Sequence, residues 1–582
     1  MKRLSIISAV MAAFVLAAAF RFATGKIPVG RPQKDWKTLA AEKRLTALSC
    51  RVPPVFLEQL PDIPPLTGWG PHRWRISTVS DSAQFYFDQG INMYYAFHTL
   101  EARASFAKAI RFDSSCAMAY YGKALALGPT INFGNGFRAE YAAFEAAQTS
   151  QKLAAGCSAL EKGLITAMVR RYSADTAFDL KKLQTDYAAA MRTLAAAFPK
   201  NADVITLYAD ALMLQHPWDL YDMTLQPRPW TPEIRAVLQK ALTIDSLHPG
   251  ALHFMIHTLE GSQHPEEGMR SAETLAGLMP DVAHVVHMPS HIYIRSGNYK
   301  KGIDVNDRAI SGYGKYVGLY QPVQEGSGLY LLHAVHMKIA CAMMAGNFGE
   351  SVSASDTLRS LVTPADLATP GGFGNFIQYA NDFRLFALLR FGAWEKILLE
   401  PAADSAARYS SFLHHFARGM ALSHLSRFSE AEQELGWLRK DLQAGELKMP
   451  YDPFSSAYEA GQVAEGILTG VLAGQSGQYP VAKAAFEKAV RAEDALIYDE
   501  PRDWPLPARQ YLGDLLLKMG DRTVAIAVFK KDLQINPMNG WSLTGLKLAY
   551  EALNNKNALQ QINADLAIAW QIRDRQIQRP VY

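Results

Sequence analysis

Apolar residues recur at helical spacing along most of this chain. From about Ser80 to the C-terminus they fall three and four positions apart, which places them on one face of an α-helix. No convincing set of segments alternates apolar and polar residues in the manner of half-buried strands. The pattern therefore predicts an all-α protein.

The predicted helices come in pairs that share a signature of small and large residues. Glycine and alanine stand where two helices would touch, and large side chains stand where gaps between them would be filled. In the first pair, from Ala83 to Ser114, these residues are Tyr86, Gly90, Ala102, Phe106 and Ala109. The signature recurs at Gly297, Tyr299, Gly302 and Ala309; at Gly419, Phe428, Ala431 and Leu435; at Gly470, Gly477, Tyr479, Ala482, Phe486 and Ala489; at Gly513, Gly520, Ala525, Phe529 and Pro537; and at Trp541, Gly545 and Leu548.

A helix pair of about 34 residues with this signature is typical of the tetratricopeptide repeat. Stacked pairs form an α-solenoid, here predicted to be a right-handed superhelix of antiparallel helix pairs with a concave inner face. Such a face usually binds a protein or a peptide, so a partner of that kind is expected.

The first 77 residues lack this signature. Lys2 and Arg3 precede an apolar run, and the alanines at 17–19 match the small residues that signal peptidase reads. Residues 1–19 are therefore predicted to be a signal peptide, with an uncleaved inner-membrane anchor as the alternative. Residues 20–77 are predicted to be a proline-rich extension, and 78–582 the repeat domain. The mature chain is expected to be exported, most simply to a periplasm.

Composition and charge narrow the class of function. Of the 582 residues, 49% are hydrophobic and 20% are charged, as in ordinary soluble proteins. The 59 Lys and Arg residues nearly balance the 55 Asp and Glu residues, for a net charge of +4. This balance argues against an electrostatic nucleic-acid binder. Membrane contact is expected only through an uncleaved N-terminal segment.

The cysteines do not suggest a redox or zinc motif. Cys50, Cys116, Cys157 and Cys341 form no CxxC pair. Export would permit disulfides. We expect buried thiols with at most one bridge.

Histidines are concentrated in one part of the chain. Nine of the 15 fall between His248 and His336, and most of these nine recur three or four residues apart. Such steps place side chains on one face of a helix. The candidate metal ligands are grouped on three predicted segments: His253, His257 and Glu260; His284, His287 and His291; and His333 and His336.

Imidazole and carboxylate groups on adjacent helices are how helical proteins build metal centres. A divalent transition metal (Fe, Cu or Zn) is therefore predicted, as one ion with supporting histidines or as two ions. The alternatives are core histidines that hydrogen-bond to loops, and a metal-free acid–base site.

Pro289 changes the prediction for the group of His284, His287 and His291. A proline inside a helix is costly, so Pro289 is predicted to begin a new helix. His284 and His287 would then lie on the preceding loop or turn, and His291 on the helix itself. A loop against a helix start can still supply ligands.

Several segments resemble a family of exported bacterial tetratricopeptide-repeat proteins. The segments are HFMIH at 253–257, HMPSHIYIRSG at 287–297 and YLLHAVH at 330–336, together with 83–90, 116–122, 214–219, 498–504 and 539–541. The resemblance spans roughly 78 to the C-terminus, although Ala334 stands where the family often has asparagine. It implies the repeat fold and marks the histidines of these segments, with His284, as distinctive, but it implies no substrate.

Two of these segments also carry candidate pocket-lining residues. Large aromatic side chains stand beside prolines there, and Glu500 is a possible further ligand or base. The alternative is that the aromatic residues plug the end of a helix. The candidates are His216, Trp218, Asp219, Tyr498, Glu500 and Trp504.

Three functions are compatible with these residues. The favoured one is a binding or scaffold module with a histidine-rich metal site on its inner face. The second is a metal-dependent hydrolase or oxidoreductase with its active site inside the superhelix. The third, a periplasmic metal carrier, is disfavoured because the 19 methionines form no array.

Overall fold

The structure is a computed structural model. It describes residues 62–66, 68–133, 141–175, 179–320, 323–404, 406–450 and 454–582. The predicted signal peptide, Cys50 and most of the proline-rich extension lie outside the described residues.

The described residues divide into two compact units. The N-terminal unit is formed by the described parts of Phe20–Ile292 and Arg308–Leu331. The C-terminal unit is formed by the described parts of Tyr293–Asp307 and Leu332–Tyr582.

Helices account for nearly all of the regular structure in both units. Those of the N-terminal unit are α1 (Asp81–Tyr95), α2 (Thr99–Phe112), α3 (Ala117–Leu127), α4 (Tyr141–Leu153), α5 (Ala159–Arg171), α6 (Leu180–Ala197), α7 (Ala202–Met213), α8 (Thr231–Ile244), α9 (Pro249–Leu259), α10 (Met269–Leu278) and α11 (Ala283–His287). The division between the units falls within α12 (Pro289–Arg295), α13 (Tyr299–Leu319) and α14 (Val323–Met344).

The C-terminal unit continues the same pattern. Its helices are α15 (Phe348–Ser360), α16 (Pro364–Leu367), α17 (Gly371–Asn381), α18 (Phe383–Arg390), α19 (Trp394–Leu399), α20 (Arg408–His424), α21 (Phe428–Asp441), α22 (Ala457–Gln475), α23 (Tyr479–Asp494), α24 (Ala508–Met519), α25 (Arg522–Ile535), α26 (Gly540–Ala552) and α27 (Lys556–Ala569). Short 3₁₀ helices lie at Ile131–Phe133, Ala154–Gly156, Pro265–Gly268 and Gly445–Lys448.

Within the described residues, β-structure is limited to two isolated bridges, Tyr221 with Pro227 and Pro450 with Ser456. Helices adjacent in sequence pack against each other, α1 on α2, α2 on α3 and α3 on α4. The prediction of an all-α helical-repeat solenoid is confirmed. The handedness of its superhelix stays a prediction.

The repeat signature corresponds to close packing of aromatic rings on glycines. The ring of Phe106 lies against Gly90 and Gly122, where an added Cβ would stand 2.7 Å and 2.4 Å from ring atoms. Phe529 lies in the same way against Gly513 and Gly545. Only glycine allows these approaches, so the small residues of the signature belong to the scaffold.

The described part of the predicted extension packs on the N-terminal unit. Its side chains Ile63, Leu66, Trp69, Trp74 and Ile76 are buried in the core of that unit. Side chains of α1 accept from its backbone: Gln89 from Leu66, Asp88 from Trp74 and Gln84 from Ile76, at 2.8–3.0 Å. These bonds satisfy buried amide groups of a segment that lacks regular structure.

Cys116, Cys157 and Cys341 are buried free thiols. No helix of the described chain is both long enough and apolar enough to cross a membrane.

Candidate metal centre

Helix α9 carries the first group of predicted ligands. His248 caps the helix, because its Nδ1 accepts from the backbone N–H of Ala251 at 3.2 Å, and Pro249 occupies the first turn. The four-residue step then places His253 and His257 on one face of α9, and both side chains are buried. Glu260 follows at the C-terminal end of the helix and is also buried.

The hydrogen bonds of His253 determine which ring nitrogen is available. Its Nδ1 lies 2.7 Å from the backbone oxygen of Tyr95, the last residue of α1. A carbonyl oxygen can only accept, so a neutral His253 carries its hydrogen on Nδ1. The Nε2 lone pair of His253 then faces Nε2 of His257 at 3.1 Å.

His284 lies on the five-residue helix α11, and Pro289 begins α12 as predicted. The expected loop or turn before Pro289 is a short helix instead, because the backbone N–H of Met288 still bonds to the carbonyl of His284 at 3.1 Å. Neither ring nitrogen of buried His284 has a hydrogen-bond partner among the described residues. Burial of such an imidazole removes its hydrogen bonds to water, and no protein hydrogen bond replaces them.

Three of the predicted ligands converge. One ring nitrogen from each of His253, His257 and His284 lies within 4.8 Å of the other two. Burial lowers the pKa of all three imidazoles well below the usual range, and for each of them a neighbouring imidazole adds to the effect. Neutral imidazoles offer the lone pairs that bind a metal ion.

A second pair of imidazoles lies on the other side of Glu260. Oε1 of Glu260 is 3.0 Å from Nδ1 of His257, and Oε2 of Glu260 is 3.2 Å from Nδ1 of His291. Nε2 of His291 in turn lies 3.0 Å from Nε2 of His287. Burial raises the pKa of Glu260 to about 7.

Aromatic rings surround the converging imidazoles. Phe97 lies 4.5 Å from the ring of His253, Trp218 lies 5.5 Å from that of His257, and Tyr330 stacks on His284 at 4.2 Å. Phe97 and Trp218 have φ angles of 60° and 58°. This left-handed backbone costs a non-glycine residue about 1–2 kcal/mol. At Phe97 it ends helix α1, where the backbone N–H of His98 bonds to the carbonyl of Met93 at 2.9 Å.

The remaining histidines of the predicted set belong to the C-terminal unit. His336 is buried, with its ring 5.3 Å from Tyr379 and 4.3 Å from Phe383. Burial lowers the pKa of His336 to about 3. Within the C-terminal unit, His336 is therefore a core imidazole packed on aromatic rings. His333 lies one turn earlier on α14 and is half-buried.

The other pocket-lining candidates are divided among different surroundings. Trp218 contacts the ring of His257, whereas His216 stacks on Trp230 at 3.7 Å and Asp219 pairs with Arg228 at 2.9 Å. His216 and Asp219 therefore have structural partners of their own.

Tyr498, Glu500 and Trp504 lie in the C-terminal unit. The hydroxyl of Tyr498 bonds to the Glu500 carboxylate, which lies 3.9 Å from Nε of Arg295. Trp504 packs edge-on against Phe386 at 5.1 Å and is 1% exposed, so it plugs the core of that unit.

One cluster in the N-terminal unit was missed by the sequence reasoning. Oδ1 of Asp203 lies 2.8 Å from Nε2 of His72, 3.2 Å from Nε2 of His248 and 2.9 Å from the Tyr95 hydroxyl. Tyr95 therefore joins Asp203, through its hydroxyl, to His253, through its carbonyl. The high density of histidines near His248 was the only signal, because the other members are far apart in sequence.

Comparison with known proteins gives likenesses of architecture only. No family model matches the chain, and no curated protein matches it. Human IFIT1 dimer with PPP-AAAA is 12% identical, covers 85% of this chain and 92% of its own, and has a TM-score of 0.29. Yeast Tom70 is 12% identical over 85% and 93% of the two chains with a TM-score of 0.26, and the APC/C hetero-tetramer Cut9-Hcn1 is 13% identical over 85% and 76% with a TM-score of 0.26.

At these TM-scores the likenesses carry no information about function. The resemblance to exported proteins with histidine motifs stays a prediction. The exclusion of nucleic acid also stays a prediction, which these comparisons do not support.

Proposed function

We propose that this protein is an exported helical-repeat binding module whose N-terminal unit holds a divalent transition-metal ion at His253, His257 and His284. The convergence of three buried imidazole nitrogens within 4.8 Å carries the proposal. Buried imidazoles without hydrogen-bond partners are costly, and a metal ion would supply the partner that His284 lacks among the described residues.

The donor set fits the ions expected from the sequence. Imidazole nitrogen suits zinc, copper and iron. Both oxygens of Glu260 face Nδ1 atoms, so Glu260, which the sequence predicted to be a ligand, would act by orienting His257 and His291. Carboxylates in this position fix the ring orientation of metal-bound histidines. A partner protein or peptide on the solenoid surface is the use expected of a helical-repeat fold.

The test is metal content. Protein purified from its native compartment is expected to contain stoichiometric zinc, copper or iron by mass spectrometry. The variant His253→Gln, His257→Gln is expected to lose the ion because it removes two of the three nitrogens. Exposed His264, which pairs only with Glu266 among its described neighbours, gives the matched control His264→Gln, which should keep the metal.

Helical circular dichroism establishes that the variants fold. If the folded wild-type protein holds no metal and takes up none when zinc, copper or iron is added, the proposal is wrong and the histidines are core residues.

Export is supported by the positive residues and apolar run of the first 19 positions. We expect protein from a periplasmic fraction to have the intact mass of a chain that begins at Phe20. Full-length chain confined to the cytoplasm would contradict export, and full-length chain in the membrane fraction would indicate the anchor instead of the cleaved signal.

A metal-dependent enzyme is the second candidate. The observation that supports an enzyme is that three imidazole nitrogens leave a coordination position open on the ion, as in catalytic zinc sites. Cobalt substitution separates the two functions. Azide added to the cobalt protein shifts the visible spectrum of an open site and leaves that of a closed structural site unchanged.

A further inference from the structure

Four buried imidazoles around Glu260 form a nearly symmetrical arrangement. Oε1 of Glu260 contacts Nδ1 of His257, whose Nε2 faces Nε2 of His253. Oε2 of Glu260 contacts Nδ1 of His291, whose Nε2 faces Nε2 of His287. One carboxylate therefore orients two imidazole pairs, and each pair comes from residues four apart in sequence.

The spacing within each pair matches that of two ligands on one ion. Nitrogens that bind an ion at about 2.0–2.1 Å, with an angle of about 90–110° between the bonds, lie about 2.8–3.4 Å apart. The two Nε2–Nε2 distances are 3.1 Å for His253 with His257 and 3.0 Å for His287 with His291. Both distances therefore fit two ligands on one ion, and in the metal-free protein they also fit an N–H···N hydrogen bond between the two rings.

The outer nitrogens allow all four Nε2 atoms to present lone pairs. The Tyr95 carbonyl requires a hydrogen on Nδ1 of His253. Oε1 of an ionised Glu260 accepts from Nδ1 of His257, and Oε2 lies 3.2 Å from Nδ1 of His291, close enough for its charge to favour a hydrogen on that nitrogen. Oγ of Ser290 lies 3.3 Å from Nδ1 of His287, and a hydroxyl oxygen can accept from it.

We propose that the N-terminal unit binds two transition-metal ions, one at His253 and His257 with His284, and a second at His287 and His291, with Glu260 as their shared orienting carboxylate. The inference rests on the proposed function, since it adds an ion to the same site. The His257 and His291 rings, 6.4 Å apart between centroids, lie on opposite oxygens of Glu260.

The shared carboxylate has a consequence that two independent sites would lack. Replacing Glu260 by glutamine leaves one carbonyl oxygen and one amide group in place of two accepting oxygens. The amide group cannot accept from an imidazole N–H, so at most one imidazole pair keeps its orientation. Loss of such an orienting partner typically weakens metal affinity about 10- to 100-fold.

The experiment is a cobalt(II) titration of the metal-free full chain, followed by visible absorption and calorimetry. Wild-type protein is expected to bind two equivalents. His287→Gln should bind one equivalent, with the spectrum of the first ion retained. Glu260→Gln should weaken binding at one or both positions by about 10- to 100-fold, and His264→Gln, the matched control on an exposed residue, should bind two equivalents as wild type does.

The outcomes separate this inference from the proposed function. One equivalent in the wild type that survives His287→Gln and is lost in His253→Gln, His257→Gln would overturn the second ion and leave the proposed function intact. No binding in the wild type would overturn both. Two equivalents with unchanged affinity in Glu260→Gln would overturn the shared carboxylate.

Discussion

Replacing Phe106 by alanine is expected to destabilise the N-terminal unit by about 3–5 kcal/mol, the usual effect of removing a buried phenylalanine. The Phe106 ring is fully buried and fills the space left by Gly90 and Gly122 on the neighbouring helices α1 and α3. Neither glycine has a side chain that could move into the cavity. The cost should therefore fall toward the upper part of this range.

Amide hydrogen exchange measures this effect locally, which suits a chain too long for a single two-state transition. Amides of α1 and α2 that exchange through opening of the unit should exchange about a hundredfold faster or more in Phe106→Ala, since every 1.4 kcal/mol is a factor of ten. Phe85→Ala is the matched control, because Phe85 lies on α1 and is 46% exposed. Equal exchange rates in the two variants would contradict the packing argument.

The scaffold could be predicted because its determinants are local. Small and large residues at fixed offsets require close helix contacts wherever the helices lie, so Gly90 and Phe106 could be paired from spacing alone. The same holds for His253 and His257, which share a face of α9 through their four-residue step.

The rest of the site depends on contacts between distant segments. Tyr95 and His253 are 158 residues apart, and His72 and Asp203 are 131 apart, so no local pattern relates them. The role of Glu260 also depends on the direction of its side chain at the end of α9. Both carboxylate oxygens lie next to imidazole Nδ1 atoms, which the sequence could not show. The surroundings of Trp218 and His216 could not be predicted either. These two residues of one motif contact different rings, Trp218 that of His257 and His216 that of Trp230.

Asp203→Ala is expected to destabilise the N-terminal unit by about 3–5 kcal/mol, the range measured when one member of a buried charged pair is removed. Its Oδ1 accepts from His72, His248 and the Tyr95 hydroxyl, and the substitution would leave two buried donors and the partly buried His72 without that acceptor. Opening free energies of α7 and α9 from hydrogen exchange measure the loss. The control is Asp186→Ala on α6, whose side chain is 42% exposed and pairs with Lys182.

The pH dependence of this loss identifies the charges that cause it. Burial alone would raise the pKa of Asp203, but hydrogen bonds and charge from His248 and His72 outweigh it and hold the pKa well below the usual range. The stabilisation from Asp203 is therefore present above about pH 4, the pKa of an unfolded aspartate, and is lost as the pH falls. For His72, burial would lower the pKa, but the Asp203 carboxylate outweighs it and the pKa is raised. The contribution of His72 is complete below about pH 6.5 and is lost as the pH rises through the raised pKa.

The difference in stability between wild type and Asp203→Ala should therefore be largest between about pH 4 and pH 6.5 and should shrink on either side. A difference that does not shrink below about pH 4 or above about pH 6.5 would mean that Asp203 acts through packing and neutral hydrogen bonds alone. Since Tyr95 joins Asp203 to His253, the same variant should also bind the first metal ion more weakly, because the Tyr95 carbonyl that orients His253 loses its support. A variant destabilised as expected but with unchanged metal affinity would show that the backbone of Tyr95 is held in place without the Asp203 carboxylate.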